Sequence, residues 1–192
     1  MCEHFDGDVA SRWDPKVEDA GLEITFAADA LSVKGTLAAG PPAASYLPKR
    51  FARGLEKLDC AIVLTVDDTV GEADVFSVVA ESDFFRSWSA NVGWKDGKLS
   101  FGVDAKAFGG GADVGARQAS DGPPKGRSFR LRFELGLSDA SNTVRVTVDD
   151  GPPSTVDAQF DPKPKAFTLR VGLPRAVGPG TYGVRMDDIV CQ

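Results

Sequence analysis

The last third of the chain carries hydrophobic side chains at alternate positions. From Phe129 to Leu137 every second residue is large and apolar, and the residues between them are mostly charged. The same alternation recurs in Val144–Val148, Phe167–Val171 and Tyr182–Met186. A period of two residues is typical of a strand with one buried and one solvent-facing side. The sequence therefore predicts a series of half-buried antiparallel strands in this part of the protein.

Earlier segments predict further strands of two kinds. Leu22–Ala27 and Leu31–Leu37 predict half-buried strands, whereas Leu58–Asp67 and Asp74–Glu81 are apolar on both parities and should be covered on both sides. Trp88–Asp104 predicts a hairpin, since its Asp-Gly pair favours the positive φ angles of a two-residue turn.

Two segments interrupt the pattern. Ser45–Lys57 has helical spacing, but Pro48 inside it favours an edge strand or an irregular turn. Residues 107–127 have no periodicity and many glycines, which predicts a long loop. The whole chain predicts about eleven strands with essentially no helix, in one all-β domain over residues 1–192 with a flexible segment at 1–4.

Composition limits the range of partners. The 192 residues carry a net charge of −6 and give a pI near 4.8, so nucleic acid is not an expected partner. No apolar run is long enough to cross a bilayer. Any membrane association is expected only through a lipid anchor.

Cys2 is the candidate anchor. It directly follows Met1, as in a bacterial lipoprotein whose removed export signal is replaced by an initiator methionine. The alternative is a natural cytoplasmic start with an incidental cysteine.

The other two cysteines, Cys60 and Cys191, suggest a disulfide. Both have the core-facing parity of their predicted strands, and they would meet if those strands were antiparallel neighbours. A bridge between Cys2 and Cys191 and a pair of buried thiols are the alternatives.

The C-terminal segment Gly180–Val190 is the first part of a family resemblance. Its predicted strand carries Asp-Asp before an apolar β-branched pair. Upstream lie Ser128–Leu137, Thr143–Val148 and an Asp-Asp-Gly turn. Together these segments resemble the second half of concanavalin A-like jelly rolls, especially laminin-G-like domains. The resemblance implies an antiparallel jelly-roll β-sandwich in which Leu58–Val66 lies beside the closing strand. The chain departs from the family pattern after the turn, where two prolines replace the usual aromatic residue.

The sequence contains no recognisable catalytic constellation. The glucanases of this family use two glutamates alternating along one strand, and no two glutamates here have that spacing. The only histidine is His4, so serine and cysteine nucleophiles lack a partner base. We therefore expect a non-catalytic protein without a required cofactor.

Calcium is a candidate ligand, because the family often binds it through loop carboxylates. The candidate groups are Asp67, Asp68, Glu72 and Asp74, together with Asp113 and Asp121. Each group has a simpler interpretation as a solvated turn.

The non-core positions of the late strands carry a set of charged side chains. Those expected to bind a ligand are Arg130, Arg132, Glu134, Arg170, Arg185 and Asp187, and Arg145 has the same parity. If they share a concave face, they would form a groove for acidic or hydroxyl-rich glycans. The alternative is a ladder of cross-strand ion pairs. Trp88 is the candidate sugar-stacking residue, although its parity also suits the core.

These observations predict an exported, lectin-like binding module at a bacterial cell surface, with carbohydrate as its ligand. The first alternative is a structural or adhesive module whose partner is a cell-surface protein. The second is a divergent glycan hydrolase or lyase.

Overall fold

The structure is a computed structural model that describes residues 2–3, 9–27, 29–51, 56–69, 71–81, 87–95, 97–106, 114–137, 142–158 and 166–192. These residues form fifteen strands and one short helix. In chain order the elements are β1 (Cys2–Glu3), α1 (Val9–Arg12), β2 (Val17–Glu18), β3 (Leu22–Ala27), β4 (Ala30–Leu37), β5 (Ala43–Phe51), β6 (Lys57–Thr69), β7 (Glu72–Glu81), β8 (Ser87–Lys95), β9 (Lys98–Lys106), β10 (Val114–Asp121), β11 (Ser128–Leu137), β12 (Asn142–Val148), β13 (Ser154–Ala158), β14 (Ala166–Val177) and β15 (Gly180–Cys191).

The strands pair into two antiparallel sheets. The eight-stranded sheet has the order β13-β12-β11-β6-β15-β4-β3, and β1 pairs with the end of β15. The seven-stranded sheet has the order β10-β9-β8-β7-β14-β5-β2. The closing strand β15 thus lies beside β6, as the family resemblance implies.

The core lies between the two sheets. Phe76 of the seven-stranded sheet packs on Phe133 of the eight-stranded sheet with ring centroids 5.0 Å apart, and Trp94 packs on Phe129 at 6.0 Å. Alternation along β11 places Phe129 and Phe133 inside and the residues between them outside. The hydrophobic pattern therefore determines which face of each strand is buried.

The predicted strands are confirmed with small changes at their ends. The hairpin of β8 and β9 pairs Lys95 with Lys98, and Gly97 in its turn has a φ of 76°. Pro48 lies inside β5 at a position that β2 does not reach, so its missing N–H interrupts no sheet hydrogen bond on that side.

The prediction of a long loop at residues 107–127 is wrong, because the segment contains β10, a polar edge strand whose composition gives no alternating signal. β13 is a further edge strand that was not expected. In the segment 1–4, whose flexibility stays a prediction, Cys2 and Glu3 form β1, which pairs with Val190 and Ile189 because β4 ends opposite Met186 and leaves that edge of β15 open. Within the described residues, no helix has the length and apolar character to span a membrane.

Candidate functional site

Five of the predicted ligand-binding residues share one surface, the outer face of the eight-stranded sheet. They are Arg130, Arg132, Glu134, Arg185 and Asp187. Open depressions of about 550 and 500 Å³ lie on this face, the first beside Arg130 and Arg132 and the second beside Arg185 and Asp187. The sequence parity therefore brings these residues together.

Two of the five, Arg132 and Glu134, are paired with charged neighbours within the sheet. Arg132 donates two hydrogen bonds to Asp59, from Nε to Oδ1 at 3.0 Å and from a terminal nitrogen to Oδ2 at 2.6 Å. Glu134 lies between Arg132 at 3.6 Å and Arg145 at 4.0 Å. The hydrogen bonds from Arg132 hold the pKa of Asp59 below its usual range, although burial acts in the opposite direction. This part of the face is a ladder of ion pairs.

The remaining members of the set have weaker partners. Arg185 donates to the Thr65 hydroxyl at 3.5 Å, and Thr65 is in turn hydrogen-bonded to Ser128 at 2.7 Å. Asp187 accepts the backbone N–H of Asp188 at 2.8 Å, where β15 bulges away from β6.

Arg170 and Trp88 do not belong with the other five. Both lie in the seven-stranded sheet, Arg170 on β14 and Trp88 on β8. Trp88 is 3% exposed and points into the core, so it offers no stacking surface to a sugar. Parity along a strand gives the face that a residue occupies but not the sheet to which the strand belongs.

The structure joins Cys60 and Cys191 in a disulfide, the first of the pairings considered from the sequence. The two residues are directly opposite each other on β6 and β15, with Cα atoms 4.1 Å apart. Asp59 and Gln192 exchange backbone hydrogen bonds beside them. Cys2 lies in β1 opposite Val190, and its role as a lipid anchor stays a prediction.

The outer face of the seven-stranded sheet differs in kind. Four polar residues that point outward from its central strands are only 4%, 2%, 5% and 5% exposed, namely Asp74, Ser77, Asn91 and Ser100. Three of them interrupt runs that are otherwise apolar or small, and this was the sequence signal that could have found them. A polar residue in a strand covered on both sides must point into a polar environment away from the core.

One arginine crosses this face. Arg117 on β10 forms ion pairs with Asp104 on β9 and, at 3.6 Å, with Asp74 on β7. It lies over Gly102, where an added Cβ would fall 2.8 Å from the Arg117 side chain, and Gly93 occupies the outward position of β8 beside Asp74. Because the two glycines have no side chains, the guanidinium of Arg117 can extend over them to the centre of the sheet.

The carboxyl groups here have different ionisation properties. Burial raises the pKa of Asp74 to about 6, against the opposing effect of Arg117 and Arg175. Burial also disfavours ionisation of Glu72, but hydrogen bonds from Arg175 and Lys95 outweigh it and lower the pKa of that group. A carboxyl with a pKa near neutrality is a frequent feature of functional sites.

Unpartnered polar atoms mark the same face. Asp74 Oδ1, Ser77 Oγ and Arg170 Nε are buried and have no hydrogen-bond partner among the described residues. Ser77 and Arg170 are directly opposite each other on β7 and β14, and Asn91 follows Ser77 in the same row. A buried polar atom without a partner costs about 1–3 kcal/mol, so each of them requires an explanation.

The calcium candidates stay untested. Asp67 lies 3.9 Å from Lys34, and Glu72 and Asp74 are occupied by arginine or lysine as described above. Asp121 ends β10, whereas the Asp68 side chain and the whole of Asp113 lie outside the described residues. No group of three or more possible metal ligands occurs in the part of the chain that the structure describes.

Several solved structures share this architecture. The cellulose-induced protein Cip1 is 13% identical with a TM-score of 0.65, covering 100% of this chain and 96% of its own. The laminarinase catalytic domain from Thermotoga maritima is 12% identical with a TM-score of 0.65 and coverages of 98% and 95%. Alginate lyase A1-II′, of polysaccharide lyase family 7, is 15% identical with a TM-score of 0.61 and coverages of 92% and 84%. No protein-family model and no curated protein matches this sequence.

At these identities the similarity establishes the fold and nothing finer. The jelly-roll sandwich predicted from the late strands is confirmed, and the chain has the concanavalin A-like fold.

Proposed function

We propose that this protein binds a polysaccharide on the outer face of the seven-stranded sheet. The observation that carries the proposal is the group of three buried polar atoms on that face that make no hydrogen bond with a described residue, although Asp74 Oδ1 lies 3.6 Å from Arg117. A hydroxyl-rich chain would supply the missing donors and acceptors there. Among the described residues, no buried polar atom on the outer face of the eight-stranded sheet lacks a hydrogen bond, and its Arg132 and Glu134 are paired with charged neighbours.

The proposal also takes support from the fold. A laminarinase and an alginate lyase are among the structures that share it, and their names specify glycans as substrates. The disulfide supports export, since such bonds persist in oxidising compartments. A bacterial cell surface with lipid attachment at Cys2 completes the proposal.

The test compares matched blocking substitutions on the two outer faces. Thr168 on β14 and Thr147 on β12 are half-buried threonines that point outward from opposite sheets. Affinity electrophoresis of the full chain against laminarin, cellulose derivatives and alginate would measure binding. Thr168→Trp should abolish the retardation of the wild-type protein, and Thr147→Trp should leave it unchanged.

Two outcomes would overturn the proposal. The first is loss of binding in Thr147→Trp but not in Thr168→Trp, which would move the site to the other sheet. The second is no binding to any polysaccharide, neutral or acidic, which would favour the protein-interaction alternative.

A second candidate function is glycan cleavage, and Asp74 favours it. General acid–base catalysis requires a group whose pKa lies near the working pH, and burial gives this carboxyl a pKa of about 6. New reducing ends or unsaturated products released from the same polysaccharides, and lost in Asp74→Asn, would establish catalysis. Binding without such products would support the non-catalytic function.

A further inference from the structure

In the seven-stranded sheet, the half-buried Arg170 has no acidic partner among the described residues. Arg170 on β14 is opposite Pro48 on one side and Ser77 on the other. Its guanidinium makes no ion pair or hydrogen bond with any described residue, and its Nε is shielded from solvent. Burying a cationic donor without a hydrogen bond costs free energy of folding. A ligand that accepts this hydrogen bond would remove the cost.

Two other arginines of this face differ from Arg170. Arg117 is paired with Asp104 and Asp74, and Arg175 is paired with Glu72. Their positive charges are therefore neutralised within the sheet. Arg170 has no such pair among the described residues, so a negative charge from outside the protein would find an unneutralised partner there.

Tyr46 fixes the orientation of this arginine. The guanidinium carbon lies 5.1 Å from the centroid of the Tyr46 ring, a cation–π arrangement. Stacking engages the face of a guanidinium and leaves its in-plane N–H groups available.

A carboxylate fits those in-plane donors. The two terminal nitrogens of an arginine form a planar fork that matches the two oxygens of a carboxylate. The Ser77 hydroxyl directly opposite Arg170, 2% exposed and without a hydrogen bond among the described residues, is a polar neighbour of the same group.

We infer that Arg170 is the anchor for a carboxylate of the bound chain, so that the ligand is an acidic polysaccharide built from uronic acids. This inference rests on the proposed function and specifies its substrate class. Diffuse attraction is not an alternative explanation, because the protein has a net charge of −6 and repels polyanions overall. Affinity for a polyanion would require a local site of this kind.

The experiment measures binding of the full chain to alginate and polygalacturonate oligosaccharides by calorimetry, with laminarin oligosaccharides as neutral ligands and dextran sulfate as the sulfated one. Arg170→Gln should weaken uronate binding by about tenfold or more, because a charge-assisted bidentate contact is lost. Arg170→Lys should weaken it less, since the charge stays while the fork is lost. Arg127→Gln is the matched control, because Arg127 is an exposed arginine outside the predicted ligand-binding set, and it should leave uronate binding unchanged.

The outcomes separate this inference from the proposed function. Binding of laminarin alone, or uronate binding that is equal in Arg170→Gln and wild type, would overturn the inference and leave polysaccharide binding intact. Preference for dextran sulfate over the uronates would also overturn it. Failure to bind any of these chains would overturn the proposed function together with the inference.

Discussion

On the outer face of the eight-stranded sheet, Arg130, Arg132 and Arg185 are exposed to solvent. On the outer face of the seven-stranded sheet, Asp74 and Ser77 are almost completely buried. Both faces are polar, yet only the first could be recognised as charged from strand parity. Polar groups left desolvated and without hydrogen bonds require an explanation that solvated or paired charges do not, and the proposed site rests on this difference.

The same contrast extends to the covalent structure. The disulfide between β6 and β15 crosses the middle of the eight-stranded sheet, whereas no strand of the seven-stranded sheet contains a cysteine. We therefore expect most of the covalent stabilisation to act through the first sheet.

The largest expected effect comes from removing that bond. The double variant Cys60→Ala/Cys191→Ala should lose about 2–5 kcal/mol of unfolding free energy, because the bridge closes a long loop across 131 residues of sequence. Urea unfolding of the variant and of the oxidised wild-type protein would measure it. The wild-type protein in reductant should resemble the variant, and an unchanged midpoint in both would contradict the expectation.

The second effect is a pH dependence of stability that arises from Asp74 on the outer face of the seven-stranded sheet. Burial raises the pKa of Asp74 from 3.8 to about 6, so the folded state binds this proton more tightly than the unfolded state does. The stabilisation that comes from proton binding by Asp74 is complete below pH 4 and is lost as the pH rises through 6. The unfolding free energy falls by about 3 kcal/mol over this range.

Asp74→Asn tests this dependence directly. The variant should gain stability relative to wild type between pH 4 and pH 7.5, as measured by urea unfolding at several pH values. Asp150→Asn, at an exposed turn, is the control and should show no such gain. If the difference in unfolding free energy between Asp74→Asn and wild type did not change with pH, the raised pKa of Asp74 would be refuted.

Asp59 on the other sheet should respond to acid in the opposite direction. Hydrogen bonds from Arg132 lower the pKa of Asp59, so its contribution is present at neutral pH and is lost as the pH falls through the folded-state value. Asp59→Asn should cost about 1 kcal/mol at pH 7, a modest amount because Arg132 is half exposed. Unfolding curves that show the same cost at pH 7 and in strong acid would exclude this account.

The smallest effect is expected at the rim of the ladder. Arg145 lies 4.0 Å from Glu134 and is about half exposed, so Arg145→Gln should change the unfolding free energy by less than about 0.5 kcal/mol. Thermal unfolding in low and high salt would measure it. A larger loss would mean that the ladder acts as one cooperative network.

The fold was largely predictable from local pattern. Alternation in β11 and β15 gives their buried faces, and the same parity brought Cys60 and Cys191 to the core side of neighbouring strands. The edge strand β10 was not predictable, because an edge strand with mostly polar residues shows no hydrophobic period.

The candidate site was much less predictable. Arg130 and Arg132 could be assigned to a common face, since both lie on one strand. Arg170 could not be separated from them, because its strand has the same alternation but pairs into the other sheet. Asp74 could not be recognised as a group whose pKa is raised to about 6, since burial causes the shift and depends on the strands that pair around it.

The sequence by itself determined the all-β class and the buried side of each main strand, because these depend on periods of two residues within single strands. Only the tertiary structure decided which strands share a sheet, and hence which polar residues share a face. That information lies in pairings between distant segments, such as β7 with β14. Ser77 and Arg170 become neighbours only when those segments pair. The pattern within either strand alone does not predict that they are adjacent.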